Sequence, residues 1–315
     1  MNFIDEWISW SYDGDPEQKF KLRPDSKMTI SVNPKIQYPL KSYRQEILDN
    51  IQLIRDSFDG PLDLMFSGGG DSELALRCFL ELGIPVNVVT FRYTDNINRR
   101  ELEQAVDICQ DLNVQHAIID LDLKKFYENE AYDIWTTGYY LNAGRLVHMK
   151  MIEYLDNTPL FCDGVTQSPY AISRRRDGEW YFKFLEISFS LTNYCNRIGR
   201  PAVSNVFDFS PRVLSRFLEI PAIKGLFRNR VPINDYSIIK YHLINQLYPG
   251  VKYRNKLSGF EGEGPAGEET SKPPYMQDFN RRYIFEDYAA GKFKIASTEV
   301  AYNYNQMLEL MHPLN

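Results

Sequence analysis

The sequence predicts an α/β protein with a doubly wound parallel sheet, a β-hairpin insertion and a mainly helical C-terminal part. Three observations carry this prediction. Short apolar runs alternate with amphipathic helical segments between residues 42 and 163, which is typical of βαβ units. The first apolar run leads directly into a glycine-rich turn at residues 67–72. The hydrophobic period changes to two around Asp177-Gly178 and becomes helical again after about residue 200.

The elements of the α/β part follow from apolar spacing and from Gly and Pro breakers. Tyr43, Ile47 and Ile51 recur at helical steps after Ser42, and Asp59-Gly60-Pro61 ends that helix. The later predicted strands are 62–66, 85–91, 114–121 and 159–163, and the later predicted helices are 71–82, 99–112 and 138–155.

The same breakers divide the chain into three parts. Residues 1–41 are predicted to be irregular because prolines interrupt them, with Met28-Thr-Ile-Ser-Val32 as a candidate short strand or edge cover. Residues 42–200 form the α/β domain, and residues 201–315 form a helical region. A hairpin with a tight Asp177-Gly178 turn is expected over 170–187. Residues 261–274 are rich in Gly, Glu and Pro, which predicts a loop and not a dinucleotide-binding turn, since no strand precedes them.

Composition narrows the class of protein. The 315 residues are 43% apolar, which suffices for a sizeable core, and the net charge of −6 argues against a protein that coats nucleic acid. The four cysteines lack C-x-x-C spacing, and Cys78 and Cys109 fall on apolar helix faces, so both are expected to be core thiols. No signal peptide or membrane span is visible, so we expect a cytoplasmic protein without membrane contact.

The glycine-rich turn has the features of an anion site. It joins a strand to a helix, and the free N–H groups and positive dipole end of a helix N-terminus attract anions. Glycines let the backbone approach the anion closely, serine hydroxyls add donors, and a carboxylate among them suggests Mg²⁺ bridging to phosphate. The alternative is a flexible glycine turn with a capping Asp. The residues concerned are Ser67, Gly68, Gly69, Gly70, Asp71 and Ser72.

Ser67-Gly-Gly-Gly-Asp-Ser72 resembles the SGGxDS signature of the PP-loop ATP pyrophosphatases, and it matches every fixed position. No Walker A pattern, GxxxxGK[ST], occurs in the chain. The resemblance implies the HUP (adenine nucleotide alpha hydrolase-like) fold and cleavage of ATP between its α and β phosphates. It also implies that Ser67 to Ser72 bind ATP with Mg²⁺, and that backbone groups at Thr90 and Phe91 hold the adenine.

A second segment resembles the asparagine-synthetase-like branch of these enzymes. Lys240, Tyr241 and Leu243 match its Lys-Tyr-x-Leu helix, and residues 254–260 match its Arg-x-Lys-x-Gly-Phe segment with one extra residue. In that branch a lysine of this second segment neutralises charge on the α-phosphate and on the departing pyrophosphate. The resemblance therefore implies a catalytic role for Lys256, and the alternative is an ordinary basic surface loop.

The resemblance also implies a metal ligand after the fourth strand of the α/β domain. The family carries a Gly-Glu-Gly-Ala-Asp-Glu motif there, and this chain has Cys162-Asp-Gly-Val-Thr-Gln-Ser-Pro-Tyr170. Asp163 is thus expected to share a divalent ion with Asp71, and a turn-capping Asp is the alternative. Asp71 is also counted as catalytic.

The expected reaction is adenylation of a carboxylate or carbonyl-like oxygen on a small-molecule acceptor, followed by attack of a nitrogen nucleophile. The first 40 residues are too few for the glutaminase domain of the asparagine-synthetase branch. The nitrogen would then come from free ammonia, an amine or a partner glutaminase. Two alternatives stay open: a thiolation-type enzyme that modifies a nucleotide or RNA, and a non-catalytic ATP sensor.

Overall fold

The computed structural model describes residues 7–23, 25–36, 38–139, 143–162, 170–174, 180–228, 236–252, 273–286, 290 and 300–312. The strands are β1 (Ile8–Tyr12), β2 (Met28–Val32), β3 (Leu62–Met65), β4 (Asn87–Tyr93), β5 (His116–Leu121), β6 (Thr158–Leu160), β7 (Tyr170–Arg174), β8 (Trp180–Phe184) and β9 (Val300–Asn303). The helices are α1 (Tyr43–Ser57), α2 (Gly70–Glu81), α3 (Arg99–Asp111), α4 (Leu123–Asn129), α5 (Ala131–Thr136), α6 (Ala143–Glu153), α7 (Ser190–Arg197), α8 (Pro211–Glu219), α9 (Pro221–Arg228), α10 (Tyr236–Leu247), α11 (Pro274–Phe279) and α12 (Tyr304–Met311).

A parallel sheet with the order β5-β4-β3-β6 forms the centre of the α/β part. Met65 is paired with Val89 of β4 on one side of β3, and Leu64 is paired with Leu160 of β6 on the other. The chain moves outward from β3 to β5 and then returns to the opposite side of β3. The order of the strands therefore reverses between β3 and β6, and in open α/β sheets ligands bind beyond the carboxyl ends of the strands at such a point.

Helices cover both faces of this sheet, which confirms the doubly wound prediction. One core joins β3 to α1, α2, α3 and α10 through residues such as Ile51, Leu64 and Ile244. The other core joins β4 and β5 to α4, α5, α6, α7 and α11 through residues such as Phe91 and Leu146. Cys78 and Cys109 are buried in the first core, as predicted, and burial raises their thiol pKa values to about 12 and about 11.

The sequence analysis missed α4 and α5 and made α6 too long. Asp122 caps α4 by accepting a hydrogen bond from the Lys125 N–H, which ends β5 and starts a helix after a single residue. The predicted helix 138–155 is longer than α6, because residues up to Tyr139, which has a positive φ of 51°, belong to the turn that ends α5.

A third core lies outside the parallel sheet. It confirms the candidate strand at Met28–Val32 and corrects the prediction that the remainder of residues 1–41 is irregular, because Ile8–Tyr12 is also a strand. β1 and β2 form an antiparallel hairpin in the register Ile8 to Val32, and alternate residues of both strands are buried. The prolines that suggested irregular structure lie outside the two strands, so they do not interrupt the pairing. The hairpin packs with α8, α9 and α12 around Phe182 and Phe184 of β8.

The hairpin predicted over 170–187 is confirmed in its strands. β7 pairs with β8 in the register Tyr170 to Phe184, and its expected Asp177-Gly178 turn lies outside the described residues. β9 adds to the other edge of β8, so the C-terminal region contributes a strand as well as helices. Most of the predicted loop 261–274 also lies outside the described residues, and Pro274 begins α11. Within the described part of the chain, the helices are too short or too polar to cross a membrane.

A buried ion pair links α1 to α8, and we expect its disruption to lower the stability of the protein. Arg212 donates two hydrogen bonds to Glu46, at 2.7 and 2.8 Å, and the Glu46 side chain is 0% exposed. Arg212→Met leaves that carboxylate buried and without its cation, so we expect a loss of about 3 kcal/mol in the free energy of unfolding. Urea titration followed by circular dichroism measures it.

Two further variants make the test specific. Arg99→Met removes the exposed Arg99–Glu103 pair and should change stability by less than about 0.5 kcal/mol. Glu46→Gln combined with Arg212→Met should lose less than Arg212→Met alone, because the buried charge is then absent. Equal losses in Arg212→Met and Arg99→Met would contradict the assignment.

Candidate functional site

The glycine-rich loop follows β3 at the point where the strand order reverses. Phe66 donates its N–H to the Val89 carbonyl at 2.8 Å, which extends the pairing of β3 with β4 by one residue. Ser67, Gly68 and Gly69 then turn the chain, and α2 begins at Gly70. An internal hydrogen bond stabilises the loop, because the Ser72 hydroxyl donates to the Gly69 carbonyl at 3.0 Å. The first turn of a helix is thus held at the carboxyl edge of the sheet.

The three glycines meet different requirements. Gly68 has a positive φ of 68°, and a Cβ there would lie 2.7 Å from the backbone nitrogen of Ala105 in α3. A Cβ on Gly70 would lie 2.9 Å from the Tyr241 ring of α10. Gly69 has an ordinary φ of −74°, and a Cβ there would meet only the Ser67 hydroxyl, at 3.3 Å. Gly68 and Gly70 therefore let α3 and α10 approach the loop, whereas the backbone at Gly69 is accessible.

α10 contacts the first turn of α2 through two polar interactions. The Lys240 ammonium donates to the Asp71 carboxylate at 2.8 Å, with the two side chains 22% and 14% exposed. The Gly70 N–H donates to the Tyr241 hydroxyl at 3.2 Å. The sequence analysis matched Lys240 and Tyr241 to a family helix but gave them no role. The two residues lie about 170 positions after the loop, so the sequence alone could not show that they contact it. The adjacent Lys and Tyr were the one sequence feature that could have drawn attention to them.

Thr90 and Phe91, predicted to hold adenine, support the end of the sheet next to the loop. The buried Thr90 hydroxyl donates to the Phe66 carbonyl and lies 2.7 Å from Nε2 of His116, which we assign as the donor to it. Burial lowers the pKa of His116, so the neutral imidazole is favoured. The Phe91 carbonyl already accepts a hydrogen bond from the Asn98 amide at 2.8 Å. A ligand that uses this carbonyl must share it with Asn98.

A pocket of about 120 Å³ lies beside Ser67, between the carboxyl edge of the sheet and α6. It brings together three of the predicted binding residues, Ser67, Thr90 and Phe91. The sequence analysis missed Arg145 and His148 of α6, whose three-residue spacing places both on the face that lines the pocket. Its other lining residues are Met65, Phe66, Val89, Tyr93, Asn98, Glu101, Met151, Phe161 and Cys162.

The proposed Mg²⁺ ligands are only partly described. Asp163 and Lys256 lie outside the described residues, so their predicted roles stay predictions. Among the residues that the structure describes, no cluster of three or more His, Cys, Asp or Glu side chains could hold a metal ion. Mg²⁺ in nucleotide sites commonly takes one or two carboxylates together with substrate phosphates. Asp71 can supply one such carboxylate, so the described residues fit a metal that arrives with a polyphosphate.

The two glycine positions generate a matched test. Gly68→Ala forces a side chain into a left-handed conformation and against α3, so we expect a loss of about 2–4 kcal/mol in unfolding free energy. Gly69→Ala should change it by less than about 1 kcal/mol, because its φ is allowed and the atom a Cβ would approach is the rotatable Ser67 hydroxyl, at 3.3 Å. Urea unfolding of both variants measures the difference. Equal stability of the two would contradict the left-handed conformation of Gly68 and its close approach to α3.

Part of the chain is similar to known proteins. Residues 64–134 match the family model of the queuosine biosynthesis protein QueC. A 7-cyano-7-deazaguanine synthase from Methanocaldococcus jannaschii is 34% identical over 61 residues, which is 19% of this chain and 26% of that protein. One from Chromohalobacter salexigens is 38% identical over 58 residues, 18% of this chain and 23% of that protein. The matched region thus spans about a quarter of the length of these curated relatives.

Solved structures show weaker likeness. The NMN synthetase from Francisella tularensis has a TM-score of 0.34 and 14% identity, covering 67% of this chain and 93% of that one. The NH3-dependent NAD synthetase from Campylobacter jejuni has a TM-score of 0.29 and 22% identity, covering 38% and 54%.

The family match begins in β3, runs through the glycine-rich loop, α2, β4, α3, β5 and α4, and ends in α5. It therefore covers the strand–SGGGDS–helix unit whose geometry is described above. The closer resemblance to the asparagine-synthetase-like branch is not confirmed by these comparisons. The loop and the family match together identify residues 64–134 as a PP-loop unit of the ATP pyrophosphatase superfamily.

Proposed function

We propose that this protein binds ATP with Mg²⁺ at the SGGGDS loop and cleaves it between the α and β phosphates to adenylate an acceptor. One observation carries the proposal: the loop joins β3 to α2 at the point where the strand order reverses, with Asp71 and Lys240 in contact beside it. That position combines a helix N-terminus, accessible glycine backbone and a side-chain cation, all of which favour a polyphosphate.

Each described group has a proposed role in binding. The accessible backbone at Gly69 and the hydroxyl of Ser67 contact phosphate oxygens, and the Ser72 hydroxyl joins them once it turns from the Gly69 carbonyl. Lys240 neutralises phosphate charge as a point cation. Asp71 holds Mg²⁺, which when bound supplies charge neutralisation to the phosphates. The adenosine lies in the pocket next to Thr90 and Phe91, whose apolar walls suit a nucleobase.

Two residues outside the described part of the chain complete the proposal. Lys256 neutralises the charge that develops on the α-phosphate and on the leaving pyrophosphate, and Asp163 gives the metal a second carboxylate. In this arrangement catalysis consists mainly of positioning and of stabilising charge as the bond breaks.

The acceptor has a carboxylate or carbonyl-like oxygen, which attacks the α-phosphorus and becomes adenylated. A nitrogen nucleophile, from ammonia, an amine or a partner glutaminase, then displaces AMP. The chemistry makes the protein an AMP-forming ligase, and a cytoplasmic setting would supply both ATP and ammonia.

A second candidate acceptor is favoured by the comparisons. Both curated relatives are 7-cyano-7-deazaguanine synthases, and the matched family is named for queuosine biosynthesis. The acceptor would then be a heterocycle of the 7-deazaguanine type, and the protein would act on a nucleobase-like compound. A non-catalytic ATP sensor differs from both candidates, because it would bind ATP without turnover.

The test follows the products of α-labelled ATP with Mg²⁺ and fractionated metabolites as acceptors, separated by thin-layer chromatography. Labelled AMP or an AMP adduct should form together with pyrophosphate, because the bond between the α and β phosphates breaks. Accumulation of labelled ADP with phosphate would contradict the proposal. Saturable ATP binding with no turnover in any fraction would favour the sensor.

Asp71→Asn ties this test to the loop. It should weaken Mg·ATP binding about 30-fold, since a hydrogen bond or ion contact of a charged group contributes roughly 2 kcal/mol. Asp107→Asn removes an exposed carboxylate from α3 and is the matched control with unchanged affinity. Calorimetry on both variants, with folding checked by circular dichroism, measures the difference. Equal affinities would remove Asp71 from the site.

A further inference from the structure

The contact between Lys240 and Asp71 affects the binding of a metal ion to the Asp71 carboxylate. The Asp71 carboxylate, proposed above as the Mg²⁺ ligand, accepts a hydrogen bond from the Lys240 ammonium at 2.8 Å. The two side chains are mostly shielded from water, so solvent screens this pair less than it screens a surface pair. A divalent cation that approached Asp71 would meet a positive charge already bound to the same carboxylate.

We propose that Lys240 is a positioning residue that makes Asp71 available to a divalent cation only when a polyphosphate is bound. The inference rests on the proposed function of the loop. A polyphosphate offers Lys240 a second anionic partner beside the first turn of α2. The ammonium then moves from the carboxylate to a phosphate oxygen, and Asp71 and the phosphates together hold the metal.

Because α10 is packed firmly against α2, only the side chain of Lys240 needs to move in this exchange of partners. At the start of α2, the Tyr241 hydroxyl accepts the Gly70 N–H, and the Tyr241 ring and Ile244 pack where a Cβ of Gly70 would be. Beyond the C-terminal end of α10, the Tyr248 hydroxyl donates to Glu81 at the last turn of α2. α10 is therefore fixed to both ends of α2.

Other charges near α10 reinforce this arrangement. Arg44 of α1 forms an ion pair with Glu81 at 2.5 Å and lies over the Tyr248 ring at 5.5 Å. Because the helix is held, a change of partner for Lys240 needs a rotation of its flexible stem and no movement of α10. A lysine suits such an exchange, since its ammonium is a point charge, whereas arginine would hold a carboxylate with two parallel hydrogen bonds.

The experiment uses Mn²⁺ as the probe, since the electron paramagnetic resonance signal of free Mn²⁺ reports binding without turnover. The protein is titrated with Mn²⁺ alone and with Mn²⁺ and ATP, and the Mn²⁺ that the same ATP binds without protein is subtracted. In the wild type, Mn²⁺ alone should bind Asp71 weakly, and ATP should create one tight site for each chain. Lys240→Met keeps an unbranched apolar stem but removes the charge, so Mn²⁺ alone should bind at least about tenfold more tightly than in the wild type.

Controls show that Asp71 is the ligand. Lys252→Met removes a charge from an exposed position after α10 and should behave as the wild type. Adding Asp71→Asn to Lys240→Met should abolish the gain. Circular dichroism establishes that each variant is folded, and Lys240→Gln replaces Lys240→Met in the same titration if the latter does not fold.

The outcomes separate the inference from the proposed function. If neither neutral variant at Lys240 gains a nucleotide-independent Mn²⁺ site while the wild type binds Mn·ATP, the inference is wrong and the proposed function stands. Tight binding of Mn²⁺ alone to wild-type Asp71 would also overturn the inference. Failure of the wild type to bind Mn·ATP would overturn the proposed function, and the inference with it.

Discussion

The contact between α10 and the first turn of α2 determines the geometry on which the rest of the site depends. Gly70 lacks a Cβ, so the Tyr241 ring can lie against it and accept its N–H. Lys240, the preceding residue, then reaches the carboxylate of Asp71. Two adjacent residues of one helix thus fix both a backbone donor and the acidic side chain of a loop far away in the sequence.

The sheet provides the other half of this geometry. The Thr90 hydroxyl donates to the Phe66 carbonyl, directly before the loop. At the end of β4, the Asn98 side chain donates to the Phe91 carbonyl and accepts from the Tyr93 N–H. These bonds hold the carboxyl ends of β3 and β4 side by side, next to the point between β3 and β6 where the strand order reverses. The residues that frame the pocket are therefore held by strands and helices, which is the arrangement that precise ligand positioning requires.

The sequence predicted most of what is local. Apolar spacing and Gly or Pro breakers located β3, α2, β4 and α3, because the signals for these elements lie within the elements themselves. The SGGGDS loop was recognisable for the same reason. What the sequence could not predict is pairing at long range: β9 joins β8 about 120 residues away, and β1 with β2 closes a core around Phe182 and Phe184.

Side-chain roles show the same division between local and distant information. That backbone groups at Thr90 and Phe91 hold the adenine stays a prediction, and nothing in the sequence indicated that the Thr90 hydroxyl bonds to the Phe66 carbonyl on the neighbouring strand. Arg145 and His148 were overlooked because polar residues on a helix are usually solvent-exposed, and only the packing of α6 shows that they line the pocket. Asp163 and Lys256 stay predictions from a resemblance.

The central claim is that the loop and α10 form one polyphosphate site. Hydrogen exchange with and without Mg²⁺ and α,β-methylene-ATP, an analogue that resists cleavage between the α and β phosphates, tests it most directly. The account predicts slower exchange at the amides of Gly68 to Ser72 and, in the same titration, along α10. Protection of the loop without α10 would contradict the claim that they act together, and protection confined to other parts of the chain would contradict the site itself.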